Sequence, residues 1–192
     1  RRSSDLNSII QSGQAFFVRG TTGGGGGTIT LTEACKTSGS AVVQTPPGLL
    51  ERLKTSLFST GTNTELADGN TVVFNNSYAN AVDGNDALKM NNFGEKLSLV
   101  RDAALLALET RQEIILTDTV YFNMQNLKQQ GYRLVFTAEN LDHPGLLGKL
   151  IDSYTNTSSL VLLNGDTNYD FTVNADAGSS AANRFKVVFY TA

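Results

Sequence analysis

Residues 183–190, NRFKVVFY, alternate in character along the chain. Phe185, Val187 and Phe189 fall on one side of an extended chain, and the residues between them fall on the other. Because side chains alternate across a strand, this pattern predicts a strand with one buried face. The same alternation recurs in two other stretches, TVYFNM at 119–124 and YRLVFTA at 132–138.

Short strand patterns continue through the rest of the chain. Residues 148–175 predict three strands, with the second and third joined around Asn164-Gly165. Residues 66–76, LADGNTVVFNN, predict a turn at Asp68-Gly69 followed by a β-branched strand. Residues 49–58, LLERLKTSLF, fit either a helical turn or a strand.

One segment is ambiguous between helix and hairpin. Residues 102–113, DAALLALETRQE, have a helix-forming composition. The surrounding stretches KLSLVR and LLALETR also fit two strands around Asp102-Ala103-Ala104, and the β-rich context favours this hairpin. The sequence therefore predicts an all-β fold, an antiparallel β-sandwich of jelly-roll or immunoglobulin-like type with little helix.

The first fifty residues carry weaker patterns. QAFFVRG at 14–20 and TITLTEACK at 28–36 predict strands, and TSGSAVVQTPPG at 37–48 predicts a loop. The glycine run from Gly23 to Gly27 lacks the Gly-Lys-Ser/Thr ending of a phosphate-binding loop and precedes a strand, so a flexible hairpin loop is the better interpretation. Cys35 is the single cysteine, which suggests a buried structural thiol.

Composition restricts the function classes. The chain has 192 residues, 40% of them hydrophobic, which suffices for a core. Only 17% are charged and the formal net charge is −3, so we expect neither nucleic acid as a partner nor a polybasic membrane anchor. Without an apolar run of about 18 residues, no membrane insertion is expected. The opening RRSSDLNS has no Met or signal-peptide pattern, which predicts a processed piece of a longer protein.

Residues 83–192 carry a family resemblance. The stretches DALKMNNFGEKLSLVRD, LLALETRQEIILTDTVYFNMQNLKQQGYRLVFT, LIDSYTNTSSLVLLNG and YDFTVNADAGSSAANRFKVVF follow one another in order. This arrangement resembles a β-sandwich module of secreted and surface proteins of the Bacteroidota. In those proteins it commonly precedes a C-terminal sorting domain for type IX secretion. IQSGQAFFVRG, residues 10–20, is similar to the upstream part of the same unit.

The resemblance implies a secreted or cell-surface location, a modular non-catalytic role, and other domains of the parent protein as partners. It supplies no ligand. Relatives usually have a Gly-containing turn where this chain has Asp102-Ala103-Ala104. Secretion is implied by the usual neighbourhood of the module and is not read from these residues. The expected organisation is a C-terminal β-sandwich module at 83–192, preceded by strands at 1–82 that belong to the same sandwich or to the end of a preceding one.

A catalytic site is not predicted, and we expect no enzyme. His143 is the only histidine, and its setting LDHPG is typical of a turn. The chain contains no G-x-S-x-G stretch for nucleophilic catalysis. Glutamates are numerous, but their spacing singles out no pair of the kind that glycosidases use.

A cation site is the main binding hypothesis. Residues 77–95, SYANAVDGNDALKMNNFGE, place Asp83, Asn85 and Asp86 around a glycine, with oxygen ligands of the kind that calcium prefers. The same residues also suit an Asx-type turn, in which Asp and Asn side chains cap their own backbone. Lys89 is the expected counter-charge for the two aspartates. Both interpretations stay open, and calcium is the only cofactor considered.

Two further hypotheses concern glycans. Tyr78, Tyr132, Tyr154 and Tyr169 could form a sugar-binding platform if they cluster at the surface. Residues 118–120, DTV, match the Asp-Ser/Thr-apolar pattern of Bacteroidota O-glycosylation, with Thr119 as acceptor. The leading hypothesis is thus a non-catalytic structural or presentation module. The alternative is a carbohydrate-binding or adhesion module, supported by calcium, whose partner is an extracellular polysaccharide or surface protein.

Overall fold

The computed structural model describes residues 50–61 and 63–191, together with residues 30, 32 and 34. The chain divides between residues 48 and 49, and the second unit, Leu49–Ala192, carries all the strands given below. The predictions for QAFFVRG, the glycine run, Cys35 and the proline-containing loop lie outside the described residues. In the stretch 28–36, described residues Thr30, Thr32 and Ala34 are exposed, and none of the three is in a strand.

Eleven strands form one sheet. Their bounds are β1 Glu51–Thr60, β2 Thr64–Phe74, β3 Ala87–Leu88, β4 Lys96–Arg101, β5 Ala104–Arg111, β6 Thr119–Gln125, β7 Gly131–Glu139, β8 Leu146–Asp152, β9 Thr157–Val161, β10 Gly165–Thr172 and β11 Phe185–Thr191. Among the described residues between 50 and 191, helical structure is confined to one 3-10 turn, Ala177–Ser180. The predicted all-β fold with little helix is therefore confirmed for this part of the chain.

The strand order in the sheet is β10-β7-β1-β2-β5-β4-β6-β11-β8-β9, and β3 pairs with β5 beside this path. Each pair is antiparallel except β2 with β5, which run parallel over Thr71–Phe74 and Leu108–Arg111. The sheet is thus mixed, which the sequence did not predict. β1 and β2 lie inside the sheet, between β7 and β5, and not at its edge.

Aromatic contacts join strands that are distant in the sheet order. Phe122 of β6 contacts Phe136 of β7, with ring centroids 6.1 Å apart. Phe171 of β10 meets Phe185 of β11 edge-on at 4.9 Å. Because these strands are not hydrogen-bonded to one another, the sheet must curve around a shared core. Edge-to-face aromatic pairs of this kind add about 0.5–1.5 kcal/mol beyond the area that they bury.

The predicted alternation is confirmed in the strands that carry the core. Phe185, Val187 and Phe189 of β11 are at most 3% exposed. The alternating strands β6 and β7 bury every second residue in the same way. Residues 148–175 form β8 to β10 as predicted, although β9 and β10 are not paired with each other. The segment at 49–58 is a strand, β1, and not a helical turn.

The ambiguous segment around residue 102 is the predicted hairpin. β4 and β5 pair through Arg101 and Ala104, and the two residues between them have positive φ, 46° at Asp102 and 63° at Ala103. Two left-handed residues in a row define a type I′ turn, whose hand of twist suits a two-residue hairpin. Ala103 therefore occupies a position that glycine or asparagine fills at lower cost.

The prediction of a turn at Asp68-Gly69 is wrong. Both residues lie inside β2, and the chain reverses earlier, between β1 and β2. Leu57 pairs with Asp68 while Phe58 pairs with Leu66, so one extra residue forms a β-bulge. The polar Asp-Gly pair is accommodated inside the sheet because the Asp68 carboxylate accepts hydrogen bonds from Lys89 and from the backbone of Leu97.

None of the helices in the described part of the chain has the length and apolar character that crossing a membrane requires.

Candidate functional site

The loop between β2 and β3 holds the predicted calcium ligands, whose side chains cap the backbone of their own turn. One Asp83 carboxylate oxygen accepts a hydrogen bond from the Asn85 backbone N–H at 2.7 Å. One Asp86 oxygen accepts from the Asp83 backbone N–H at 2.7 Å, and the other accepts from the Thr110 N–H of β5 at 2.7 Å. Asp86 thus fastens the loop to the sheet, in agreement with the Asx-type interpretation.

Lys89 does not provide the expected counter-charge for this turn. Its Nζ lies 2.6 Å from Asp68 Oδ1, and both side chains of that pair are nearly buried. Asp83 and Asn85 are exposed and Asp86 is half-buried, so their positions remain accessible from solvent. Calcium binding by these three residues stays a prediction.

Thr119, the predicted glycosylation acceptor, is the first residue of β6. It is half-buried and pairs with Val188 of β11, and its carbonyl oxygen accepts a hydrogen bond from Arg111. Modification of its hydroxyl stays a prediction.

Several carboxylates are instead used inside the molecule. Asp152 and Arg184 form a bidentate salt bridge. The Nε–Oδ1 distance is 2.9 Å and the Nη2–Oδ2 distance is 2.7 Å, and both side chains are at most 2% exposed. The Tyr169 hydroxyl donates to the same carboxylate at 3.0 Å. Burial raises the pKa of Asp152, but the hydrogen bonds from Arg184 and Tyr169 and the charge of Arg184 outweigh it, so the pKa lies below its usual value.

Arg184 also joins elements that have no strand pairing with β11. Its Nη1 donates to the Ser179 carbonyl of the 3-10 turn at 2.6 Å and to the Thr172 carbonyl of β10 at 3.3 Å. The guanidinium stacks within 4.9 Å of three aromatic ring centroids, those of Tyr154, Phe171 and Phe185. Stacking and a five-donor fork are properties of arginine that lysine lacks.

A second buried ionic group lies at the end of β5. Arg111 Nη2 contacts Asp118 Oδ1 at 2.7 Å, and Arg111 Nη1 is 3.5 Å from Glu109. Burial raises the pKa of Glu109, and the positive charges of Arg111 and Arg101 only partly offset this effect. The group fastens the turn before β6 to the sheet, because Asp118 also accepts from the Ile115 N–H.

One titratable cluster is left open to solvent. The Nε2 atom of His143 lies 3.1 Å from Glu51 Oε2, and one ligand atom from each of Glu51, Glu113 and His143 lies within 4.8 Å of the others. We refer to these three residues as the strand-end cluster. Glu113 is exposed, while Glu51 and His143 are half-buried. Two carboxylates thus face a single imidazole.

The sheet register explains why these residues meet. Glu51 begins β1 and pairs with Phe74 at the end of β2, and Phe74 pairs with Arg111 at the end of the parallel strand β5. Glu113 follows β5 by two residues. β7 also ends at this edge, through the pair of residues 52 and 139, and His143 lies in the loop that follows it. One strand start and three strand ends therefore converge.

A groove adjoins the strand-end cluster. It has a volume of about 540 Å³, includes His143, and is lined mainly by apolar residues, among them Ile114, Ile115, Leu116, Pro144 and Leu146. Ile115 and Leu116 are 59% and 49% exposed. A second groove, of about 430 Å³, is lined by polar residues that include Ser59, Glu65, Glu95, Lys128 and Gln130. The histidine therefore stands at the border of an apolar surface.

Comparison with known proteins adds no assignment. No family model, no curated protein and no solved structure matches the chain.

The strand-end cluster was missed in the sequence because its members are far apart along the chain. Glu51 and His143 are 92 positions apart. The sequence predicts correctly that His143 lies in a turn, since its carbonyl accepts from the Leu146 N–H. The parallel pairing of β2 with β5 brings Glu113 to the same edge, and no local pattern indicates a parallel pair between these strands.

Proposed function

We propose that the chain is a non-catalytic module of a secreted or cell-surface multidomain protein, and that it acts there as a structural or presentation domain. We further propose that its fold is a β-sandwich of jelly-roll or immunoglobulin-like type. Among the described strands, β9 and β10 each pair with one neighbour only, and aromatic rings make contact between strands that are not paired; both observations support two facing layers.

One observation carries the functional proposal. Three largely shielded carboxylates among the described residues each lie against a basic side chain: Asp152 against Arg184, Asp118 against Arg111, and Asp68 against Lys89. A catalytic acid or base needs a free proton position near a substrate. These carboxylates instead fasten loops and strand ends to the sheet, which suits a domain whose task is to stay folded outside the cell.

A surface-delivery assay tests this role. The full chain is placed between a reporter enzyme and a type IX sorting domain in a bacterium that has this secretion route. We expect surface reporter with the native chain and a large loss with Arg184→Met, because an unfolded presentation domain exposes the fusion to proteolysis. Arg52→Gln, which removes only the half-exposed pair with Glu139, is the matched control and should deliver normally. Equal surface activity from all three chains would contradict the proposal.

The alternative, a carbohydrate-binding or adhesion module, has one supporting observation. Phe93 is fully exposed and follows Asn91 and Asn92, so an aromatic face lies next to amide groups. The tyrosines give less support, because Tyr132 is buried and Tyr169 donates to Asp152. Retardation of the native chain in polysaccharide gels, lost in Phe93→Ala, would favour this alternative over the structural role.

Calcium dependence is tested separately by thermal unfolding with calcium and with a chelator. A ligand that binds only the folded state raises the midpoint. A rise that is lost in Asp83→Asn would establish the predicted cation site. Equal midpoints at millimolar calcium would leave these residues as a turn alone.

A further inference from the structure

We propose that the strand-end cluster binds a divalent transition metal, with zinc as the best-fitting ion. The ligands are Nε2 of His143 and one carboxylate oxygen from each of Glu51 and Glu113. The proposed zinc site shares no residue with the predicted calcium loop, and the proposal does not depend on the presentation role.

The donor set favours zinc over calcium. Calcium takes six to eight oxygen ligands, whereas an imidazole nitrogen with carboxylates suits zinc and its neighbours in the first transition row. Three protein ligands leave a fourth position for water, as in open zinc sites. The sequence hypothesis of an oxygen-only site at residues 83–86 therefore predicts the opposite metal preference, and the two sites can be told apart by the ion that they bind.

The distances require only small side-chain movement. Ligand atoms around a tetrahedral zinc are roughly 3.3–3.5 Å apart when the bonds are about 2.0–2.2 Å long. The His143 and Glu51 atoms are already 3.1 Å apart, and the set spans at most 4.8 Å. The Glu113 side chain is exposed and can therefore close the remaining gap.

The backbone around the cluster is well fixed. The Leu50 carbonyl accepts a hydrogen bond from Asn140 at 3.0 Å, next to Glu51. The Asn75 N–H donates to the Arg111 carbonyl at 2.9 Å, which continues the ladder between the ends of β2 and β5. Glu51 is thus held by a strand, and Glu113 and His143 follow the ends of strands by two and four residues.

Asn76 is a positioning residue for this site. Its Nδ2 donates to one Glu113 carboxylate oxygen, and its Oδ1 accepts from the Glu113 backbone N–H at 3.2 Å. The second carboxylate oxygen stays free for a metal. A hydrogen bond of this kind fixes the orientation of the carboxylate, as outer-shell partners do in zinc sites.

The charges are unbalanced without a cation. Among the described residues, Glu51 has no basic partner within 4 Å apart from His143, and Glu113 has none. In the described part of the chain, each of the buried carboxylates Glu95, Glu109 and Asp152 has an arginine or lysine within 3.5 Å. A zinc ion supplies positive charge at the point where the two carboxylates and the imidazole nitrogen meet.

The test is calorimetric titration of the full chain with zinc, calcium and magnesium in parallel. We expect binding of one zinc per chain, with calcium and magnesium at least about 100-fold weaker. At a hundredfold excess over Kd, zinc should raise the unfolding midpoint by roughly 5–10 °C. Cobalt(II) in place of zinc should give the visible absorption of a tetrahedral complex.

Variants keep the outcome specific. His143→Ala should lower zinc affinity at least about 100-fold, and Asn76→Ala by about 10-fold, within the range known for outer-shell partners. Glu113→Gln replaces an exposed side chain, so this variant should fold even if substitutions at the half-buried Glu51 disrupt folding. Absence of zinc binding, or equal zinc affinity in native protein and His143→Ala, would overturn the proposal.

Discussion

The Asp152–Arg184 pair and the strand-end cluster are two answers to the same structural problem. Each joins segments that are distant in sequence by means of charged side chains. The first is buried, and its carboxylate has a two-pronged arginine partner. The second faces solvent with two carboxylates for one imidazole. The difference teaches that charge balance, and not the mere presence of acidic residues, separates a stabilising contact from a candidate binding site.

The largest expected effect comes from breaking the buried pair. Arg184→Met leaves the Asp152 carboxylate buried without its cation, and loss of one partner of such a pair costs about 3–5 kcal/mol. We expect chemical denaturation to show a loss of this size in the free energy of unfolding. The control is Arg52→Gln, whose half-exposed pair with Glu139 should contribute less than about 1 kcal/mol. Similar losses of stability in both variants would mean that the buried pair stabilises the fold no more than the half-exposed pair does.

The second prediction concerns acid. The pKa of Asp152 lies below its usual value in the folded protein, so the unfolded chain takes up this proton near pH 4 while the folded chain still resists it. Stability from this group is therefore complete above about pH 5 and is lost as the pH falls through the folded pKa. Each unit of pKa depression corresponds to about 1.4 kcal/mol.

Glu109 works in the opposite direction. Burial raises its folded pKa, so its contribution is complete at low pH and is lost as the pH rises through that value. Denaturation between pH 6 and pH 3 tests the contribution of Asp152. Because the lowered pKa of Asp152 is lost in Asp152→Asn, the fall in stability toward acid should be smaller in this variant than in the native chain. A fall of unchanged slope in Asp152→Asn would assign the acid dependence to other groups.

The third prediction concerns backbone strain at Ala103, a position where no charged group contributes. Ala103 holds φ 63° in the type I′ turn, where a residue with a side chain costs about 1–2 kcal/mol over glycine. Part of that gain is offset by the larger entropy of a glycine in the unfolded chain. We expect Ala103→Gly to raise the free energy of unfolding by about 1 kcal/mol. Ala107→Gly, inside β5, is the matched control and should lower it.

The sequence predicted much of the sheet, because period-two alternation is a local property. Phe185, Val187 and Phe189 are buried together, and the hairpin around residue 102 follows from its strand context. The Asp68-Gly69 turn was mispredicted because its outcome depends on Lys89, 21 positions away. Turn chemistry describes a preference of four residues, whereas a tertiary ion pair holds the same residues inside a strand.

The candidate site was harder to predict from the sequence, because its residues meet only through tertiary contacts. Asp83 and Asp86 attract notice because they are neighbours in sequence, and neighbours can satisfy each other's backbone, as they do here. Glu51 and His143 attract none, since only the sheet register brings them together. Polar residues that are adjacent in sequence thus often form hydrogen bonds with their own turn. A site assembled from strand ends can be recognised only once the fold is known.

The smallest expected effect is also the most discriminating. In metal-free protein, Glu113→Gln removes one of two facing carboxylates at an exposed position, and Gln retains an oxygen that can accept from Asn76. Surface changes of this kind stay within about 0.5 kcal/mol, and relief of like-charge repulsion favours the variant. The matched change at the buried Arg111, Asp118→Asn, removes the nearer of its two carboxylate partners and should destabilise. Opposite signs in denaturation of the two variants would mean that the strand-end cluster contributes nothing to folding.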